Sequence, residues 1–223
     1  METTDKEMTL AEQVYRRLSE AILGGELAPG SKISEPALAR AYGVSRGPLR
    51  EALHRLQERK LITRSANQGP RVIKPTVEAL AELFVVREAL EGMAARMAAI
   101  NATEDDIARL RAAVTGPGAG SNGTQDTTDG AYEQLDQDFH VAIAQCSRNP
   151  MLIDLLCGEL YPLLKLYRGT PVGHRPRRLR AVDEHRRVVD AIEDKDPELA
   201  EMLMRRHILA ARRRRTDALE GNR

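Results

Sequence analysis

The sequence predicts a mostly α-helical protein in two parts: an N-terminal winged helix-turn-helix and a C-terminal antiparallel bundle of six or seven helices. Three observations predict it. Residues 10–58 carry three short helical patterns, the last two separated by a turn that contains Gly43. The stretch LITRSANQGPRVIKP reads as two short strands around a polar turn containing Gly69-Pro70. From Thr76 onward only helical periodicity is found. The expected division is a disordered tail over 1–8, the winged domain over 9–75 and the helical domain over 76–223.

Each element has its own warrant. Leu10, Val14, Leu18, Ala21 and Ile22 mark an amphipathic first helix that ends at Gly24-Gly25. LAPGSKIS is a turn centred on Pro29-Gly30. Ser34 caps a second helix with Pro36 in its first turn, Leu38 and Ala39 inward, and Gly43 at its end. Ser45 caps a third, with Leu49, Ala52, Leu53 and Leu56 on the inner face.

In the second part, Thr76 caps a long helix with Leu80, Leu83, Phe84, Leu90, Ala94 and Met97 on one face. Thr103 opens the next, with Asp106 placed as in a capping box. TGPGAGSNGTQDTTDG is a Gly/Ser/Thr-rich loop expected to be mobile. The helix containing LDQDFHVAIA follows. Asn149-Pro150 starts another, Pro171 to Pro176 break it, Leu179 to Ile192 form the next, and Asp196-Pro197 starts the last. The run Arg212 to Arg215 is expected at a helix end, solvated and favoured by the dipole.

Composition narrows the function classes. At 223 residues the chain can bury a core in each of two domains. Aromatics make up 3% and Trp is absent, so the cores must come from Leu, Ala, Ile, Val and Met, a helical set. Met1 to Lys6 is polar with no apolar segment after it, so no signal peptide is expected. No run of eighteen apolar residues exists, so no membrane span is expected and the location is expected to be cytoplasmic. Cys146 and Cys157 fall on apolar stripes and read as buried free thiols.

The net charge of +1 points to no partner, but its distribution does. Residues 1–75 hold 13 Lys/Arg against 9 Asp/Glu, and residues 76–223 hold 21 against 24. A basic small domain joined to an acidic larger one suggests an anionic partner for the first. The third helix carries Arg46, Arg50 and Arg59 outward, and residues 45–60 sum to +3. Ser and Arg in the first turn of such a helix can donate to phosphates and guanine edges in a major groove. Basic helix, two-helix spacing and wing together indicate DNA binding.

The run GSKISEPALARAYGVSRGPLREALHRLQERKLI resembles the winged-helix domain of the GntR family of bacterial transcription regulators, over about residues 9–75. The resemblance implies DNA contacts from Ser45, Arg46, Gly47, Pro48 and Arg50, and from Gln68 and Gly69 at the wing tip. It implies a homodimer on an inverted repeat of double-stranded operator DNA. Many relatives carry Arg where this chain has Pro36, so recognition at that point must differ.

LDQDFHVAIA sets Asp136 and His140 four residues apart at the edge of an apolar face, where they are costly unless satisfied. Residues at that spacing lie on one side of a helix and can grip one ion. His185 shares a stripe with Leu179, Val182, Val189 and Ile192; His207 is in phase with Leu199, Leu203 and Ala210. One such His is usually a satisfied core residue. Three imidazoles and a carboxylate suit Zn2+, and Ni2+, Mn2+ or Fe2+ accept the same donors. Arg87 shares the stripe of Leu80, Leu83, Leu90 and Ala94, and an inward Arg needs an anion. That anion is either Glu91 one turn on or an acidic ligand.

VREALEGMAARMAA, LDQDFHVAIA and the pair EHRRVVDAI and MRRHI resemble the effector-binding FCD domain of the FadR subfamily within GntR, over about residues 77–215. The resemblance implies metal ligation by Asp136, His140, His185 and His207, and a pocket lined by Arg87. The expected protein is a transcription regulator, usually a repressor, released by a small carboxylate bound at the metal and Arg87. A purely structural metal is the alternative. A metal hydrolase is the remote one: four protein ligands leave little room for an activated water, no separate general base is visible, and the DNA reader would be unexplained. No enzyme is expected.

Overall fold

A computed structural model describes residues 8–65, 68–115, 129–167 and 175–220, without the side chains of 115, 129–136, 175–179 and 217–220. Residues 1–7 of the expected tail and most of the Gly/Ser/Thr-rich loop therefore lie outside the described residues. The chain divides into two compact units, Met1–Thr76 with Lys165–Gly169, and Val77–Leu164 with Thr170–Arg223.

The first unit holds α1 (Leu10–Leu23), α2 (Glu35–Tyr42), α3 (Arg46–Glu58), β1 (Ile62–Ser65) and β2 (Gly69–Val72). Thr9 caps α1 by accepting from the Glu12 amide, and Ser34 caps α2 by accepting from Ala37. Gly43 ends α2 in the left-handed region at φ 65°, which a side chain would strain. The core is α1 against α3: Val14, Leu18 and Ile22 meet Leu49, Leu53 and Leu56, all buried. Leu10, expected inside, is exposed because Ala11 takes the first inward position.

The wing departs from expectation in two ways. Gly69-Pro70 is not the turn but the start of β2, with Ser65 paired to Gly69 and Arg64 to Pro70. Gly69 is the residue that needs freedom, at φ 72°, where the strand leaves the turn. The LAPGSKIS stretch also contributes backbone to the sheet. Ile33 donates to the Pro70 carbonyl (2.9 Å), Val72 donates to Ser31 (3.0 Å), and Lys32 bridges to Arg71. A periodicity reading misses a pairing this short.

The second unit is helical: α4 (Val77–Asn101), α5 (Glu104–Thr115), α6 (Asp129–Cys146), α7 (Pro150–Ile153), α8 (Tyr161–Tyr167, in this unit as far as Leu164), α9 (Arg175–Glu193) and α10 (Pro197–Glu220). Residues Asp154–Leu160 between α7 and α8 form a π-helical stretch, so Asn149-Pro150 starts one continuous rod. That makes six rods among the described residues. The helix expected to begin at Leu179 begins at Arg175. Pro176 sits in its first turn, where a missing N–H costs nothing.

α4 packs along α10, and Gly92 lets it. A Cβ there would stand 2.6 Å from Cγ of Arg205, whose stem crosses α4 to reach Glu88. The inward line of α4 is Leu80, Phe84, Arg87, Glu91, Ala94, Ala95, Ala98 and Ala99. Leu83, Leu90 and Met97, expected inward, are only half-buried. Asp106 closes the capping box of α5. It accepts from the Thr103 amide (3.0 Å) and hydroxyl (2.9 Å) and pairs with Arg109 and Arg148. Arg212–Arg215 lies inside α10, not at its end.

Candidate functional site

Two groups of residues carry chemistry. In the first unit, α3 presents the basic face. Leu49, Ala52, Leu53 and Leu56 clamp it to the core, and Arg55 ties it to α1 through Glu12 (2.5 Å). Its first turn faces solvent: Ser45, Arg46, Gly47 and Arg50 are exposed and Pro48 is half-buried. Ser45 stands at the N-cap position, yet its hydroxyl makes no capping hydrogen bond. Hydroxyl and amides at this helix start are a donor set for an anion. Arg50 pairs with Glu35 at 3.9 Å, while Glu35 favours Arg64 at 2.7 Å. At the wing, Gln68 is exposed and Gly69 half-buried.

In the second unit, three helices converge on one point. His140 of α6, His185 of α9 and His207 of α10 are all buried. The Nε2 atoms of His185 and His207 are 3.2 Å apart, and those of His207 and His140 are 3.3 Å apart. One ring nitrogen of each lies within 4.8 Å of the others, forming the ligand cluster found among the described residues. Phe139 stacks on His185 at 3.9 Å between centroids and fixes the ring's plane. Asp136 lies one turn before His140 on α6, and its side chain is outside the described residues.

The outer nitrogens are equally ordered. His140 Nδ1 is 2.5 Å from Glu91 Oε2, and Glu91 is paired with Arg87 one turn earlier on α4. His207 Nδ1 is 2.8 Å from Glu184 Oε2, and Arg214 holds both oxygens of Glu184 at 3.3 Å. Burial pushes the Glu91 carboxyl up, but Arg87 and the His140 ring beside it outweigh it and hold it at about 2. Burial likewise opposes ionisation of Glu184, and His207 and Arg214 overcome it, leaving the carboxyl below its usual range.

This arrangement fits a metal. A carboxylate can only accept, so each Nδ1 beside one must carry the proton. In neutral rings the Nε2 atoms of His140 and His207 then aim lone pairs at each other, which is repulsive unless a cation lies between them. Two nitrogens bound tetrahedrally at about 2.0–2.1 Å from a zinc ion stand roughly 3.3 Å apart. The observed separations match that edge. The thiols lie outside this cluster of three imidazoles among the described residues; burial raises Cys146 to about 11 and also raises Cys157.

Several site residues were missed by pattern. Glu91 was read only as a pairing partner for Arg87, not as a buried neighbour of His140. Its phase with Phe84, Arg87 and Ala94 could have placed it inside. Glu184 and Arg214 gave no signal, because a carboxylate adjacent to a stripe on one helix meets an arginine from another only after folding. The Arg212–Arg215 run, read as solvated, supplies Arg214 to this network.

Comparison with known proteins agrees with both halves. Residues 10–72 match the model for bacterial regulatory proteins of the gntR family, and residues 82–210 match the FCD domain. The HTH-type transcriptional regulator YdhC of Bacillus subtilis (strain 168) is 30% identical over 201 residues, covering 89% of this chain and 85% of its own. The Glc operon transcriptional activator of Escherichia coli (strain K12) is 28% identical, covering 98% and 94%. A crystal structure of a GntR transcriptional regulator from Rhodococcus sp. RHA1 superposes with a TM-score of 0.67 at 25% identity, over 93% and 98% of the two chains. These relatives and domains are transcription regulators, not enzymes. Among the described residues no helix is long and apolar enough to cross a membrane. The chain therefore belongs to the GntR family, in the group with an FCD domain, and is a DNA-binding transcription regulator.

Proposed function

We propose that the protein is a repressor that lets go of its operator when a small organic acid binds at a metal held in the helical unit. The convergence of three buried imidazole Nε2 atoms carries this reading. His140, His185 and His207 would hold the ion, Zn2+ by donor chemistry, with Asp136 as fourth ligand from the same face of α6. The bound ion supplies a positive centre to which a carboxylate of the effector can bind.

Arg87 would take another part of that acid. It is buried and already faces one carboxylate, Glu91. An acid that draws Arg87 away from Glu91 disturbs the contact with His140, so effector and helix positions are coupled. By linkage, an acid that loosens operator binding is itself loosened by operator to the same factor. The activating relative from Escherichia coli bears on the sign, which the assay below reads directly.

Ser45, Arg46, Gly47, Pro48 and Arg50 would contact DNA from the α3 end, with Gln68 and Gly69 reaching from the wing. Two copies on an inverted repeat would place one α3 in each of two major grooves. A seven-residue repeat on α4 supports pairing of copies: Val86, Met93 and Ile100 are exposed at 50%, 42% and 60% along one face. Such a regulator works on DNA in the cytoplasm.

The deciding experiment is fluorescence anisotropy with DNA from the protein's own promoter region, in zinc-loaded and chelated states, across mono-, di- and tricarboxylates. Tight binding that one acid relieves only in the loaded state is expected. Failure to bind that DNA in any state sinks the regulator reading at this promoter. Relief by an acid regardless of zinc leaves the ion a structural staple of α6, α9 and α10, the second reading that the burial of its three donors favours.

A further inference from the structure

We infer that Glu91 and Glu184 are positioning residues that set two of the three imidazoles for the ion, each anchored by its own arginine. The inference rests on the metal reading above. Its observation is a repeated chain, Arg87–Glu91–His140 and Arg214–Glu184–His207. In each chain an arginine grips a carboxylate, the carboxylate faces Nδ1, and the opposite ring nitrogen points to the common centre.

Physical chemistry gives the pair one task. A neutral imidazole carries its proton on either nitrogen, and only the Nδ1–H form offers the Nε2 lone pair to a metal. A carboxylate at Nδ1 selects that form, fixes the ring's rotation and raises the basicity of the far nitrogen. The arginine keeps the carboxylate ionised and stops it from turning toward the ion itself. His185 is set differently, by the Phe139 face.

The two chains differ in setting. Arg87, Glu91 and His140 are all buried and lie between α4 and α6. Glu184 and Arg214 keep 29% and 23% of their side chains exposed and lie between α9 and α10. The half-buried chain can be cut without leaving a deeply buried charge, so it is the one to test. It also assigns a role to one arginine of the run at 212–215: Arg214 reaches the metal ligand through Glu184.

The test titrates Zn2+ alone into metal-stripped full-length protein, with a competing chelator to set the range. Co2+ spectra report the coordination of the bound ion. Removing a partner of this kind weakens metal binding by roughly 10–100-fold. Glu184→Ala is expected to lose that much zinc affinity and to shift the visible Co2+ bands. Glu184→Gln, which retains an oxygen acceptor for Nδ1–H, should recover most of it, and Arg214→Ala should fall between. His185→Ala, a direct ligand loss, should abolish the site. If wild type takes up no zinc, the metal reading fails. If wild type binds, His185→Ala does not, and folded Glu184→Ala binds as wild type with an unchanged Co2+ spectrum, the positioning role is overturned while the metal reading stands. Circular dichroism checks the fold, and Glu184→Gln keeps the test decisive if the alanine variant unfolds: equal affinity with altered Co2+ bands supports the role.

Discussion

The two units handle charge in opposite ways. Among the described residues, every buried ionisable side chain belongs to the helical unit: Arg87, Glu91, Asp106, His140, His185 and His207. The first unit buries apolar side chains and leaves Arg46 and Arg50 to solvent. A DNA reader gains from that, since solvated cations meet phosphates at small cost. The sensing role proposed for the helical unit would gain from the reverse. Buried charges are expensive unless paired, so a ligand that changes their pairing changes stability and helix position together.

The largest test of that contrast removes one buried charge. Glu91→Ala strands the Arg87 cation in the core and should cost about 3–5 kcal/mol in the metal-free protein. The double change Arg87→Leu with Glu91→Leu should recover most of it, because two apolar side chains of similar size fill the space. Thermal unfolding followed by circular dichroism measures both. A mild single variant would mean the pair is better solvated than its burial indicates. Next comes the ion. Zinc at about a hundred times its Kd should stabilise by about 2.7 kcal/mol. Hydrogen exchange should slow in α6, α9 and α10 and stay unchanged in α1 to α3. Equal slowing in both units would erase the contrast.

Sequence and structure part company along the same line. The first unit was legible almost throughout. Its helices end on Ser34, Gly43 and Gly24, and its core positions repeat with clean helical phase because nothing else competes for them. It failed at Leu10, which is exposed, at Ser45, whose hydroxyl makes no capping bond, and at the wing, where Gly69-Pro70 looks like a turn by composition but begins a strand, its register set by Ser31–Ile33 across the sheet. In the helical unit the three histidines were legible, since each interrupts an apolar stripe. Their outer partners were not. Glu184 joins His207 through a contact between α9 and α10 that exists only in three dimensions. On α4 the sequence placed Arg87 inward, where it is buried, but hydrophobicity also favoured Leu83 and Leu90, which are only half-buried, while the fold turns Glu91 inward.

Asp106 offers a milder probe of a buried charge with no tie to the proposed metal site. The Thr103 amide, opposed by burial and then helped by the Thr103 hydroxyl, Arg109 and Arg148, pulls its carboxyl down to about 2. A depressed carboxylate adds stability that is fully present above its unfolded pKa of about 3.9 and is lost as pH falls toward 2. The span corresponds to roughly 2–3 kcal/mol before screening, which lowers it because Arg109 and Arg148 are exposed. Asp106→Asn keeps an acceptor for the cap without the charge. Urea unfolding should show the variant weaker at pH 7 by up to about that amount and converging with wild type near pH 2. A gap that persists at pH 2 would assign the loss to packing.

The smallest expected change in folding comes from the exposed end of α3. Arg46 is in solvent, so Arg46→Ala should alter unfolding stability by less than about 0.5 kcal/mol. Its effect belongs to DNA, where a loss of roughly 1 kcal/mol or more is expected. Salt dependence then separates the kinds of contact. A loss uniform across operator variants, with the slope of log affinity against log salt reduced by about one, assigns a phosphate. A loss confined to one operator position assigns a base edge. Unchanged affinity in Arg46→Ala, against a weakened Arg50→Ala, would move the reading surface of α3 one turn deeper into the helix and leave its first turn only to solvent.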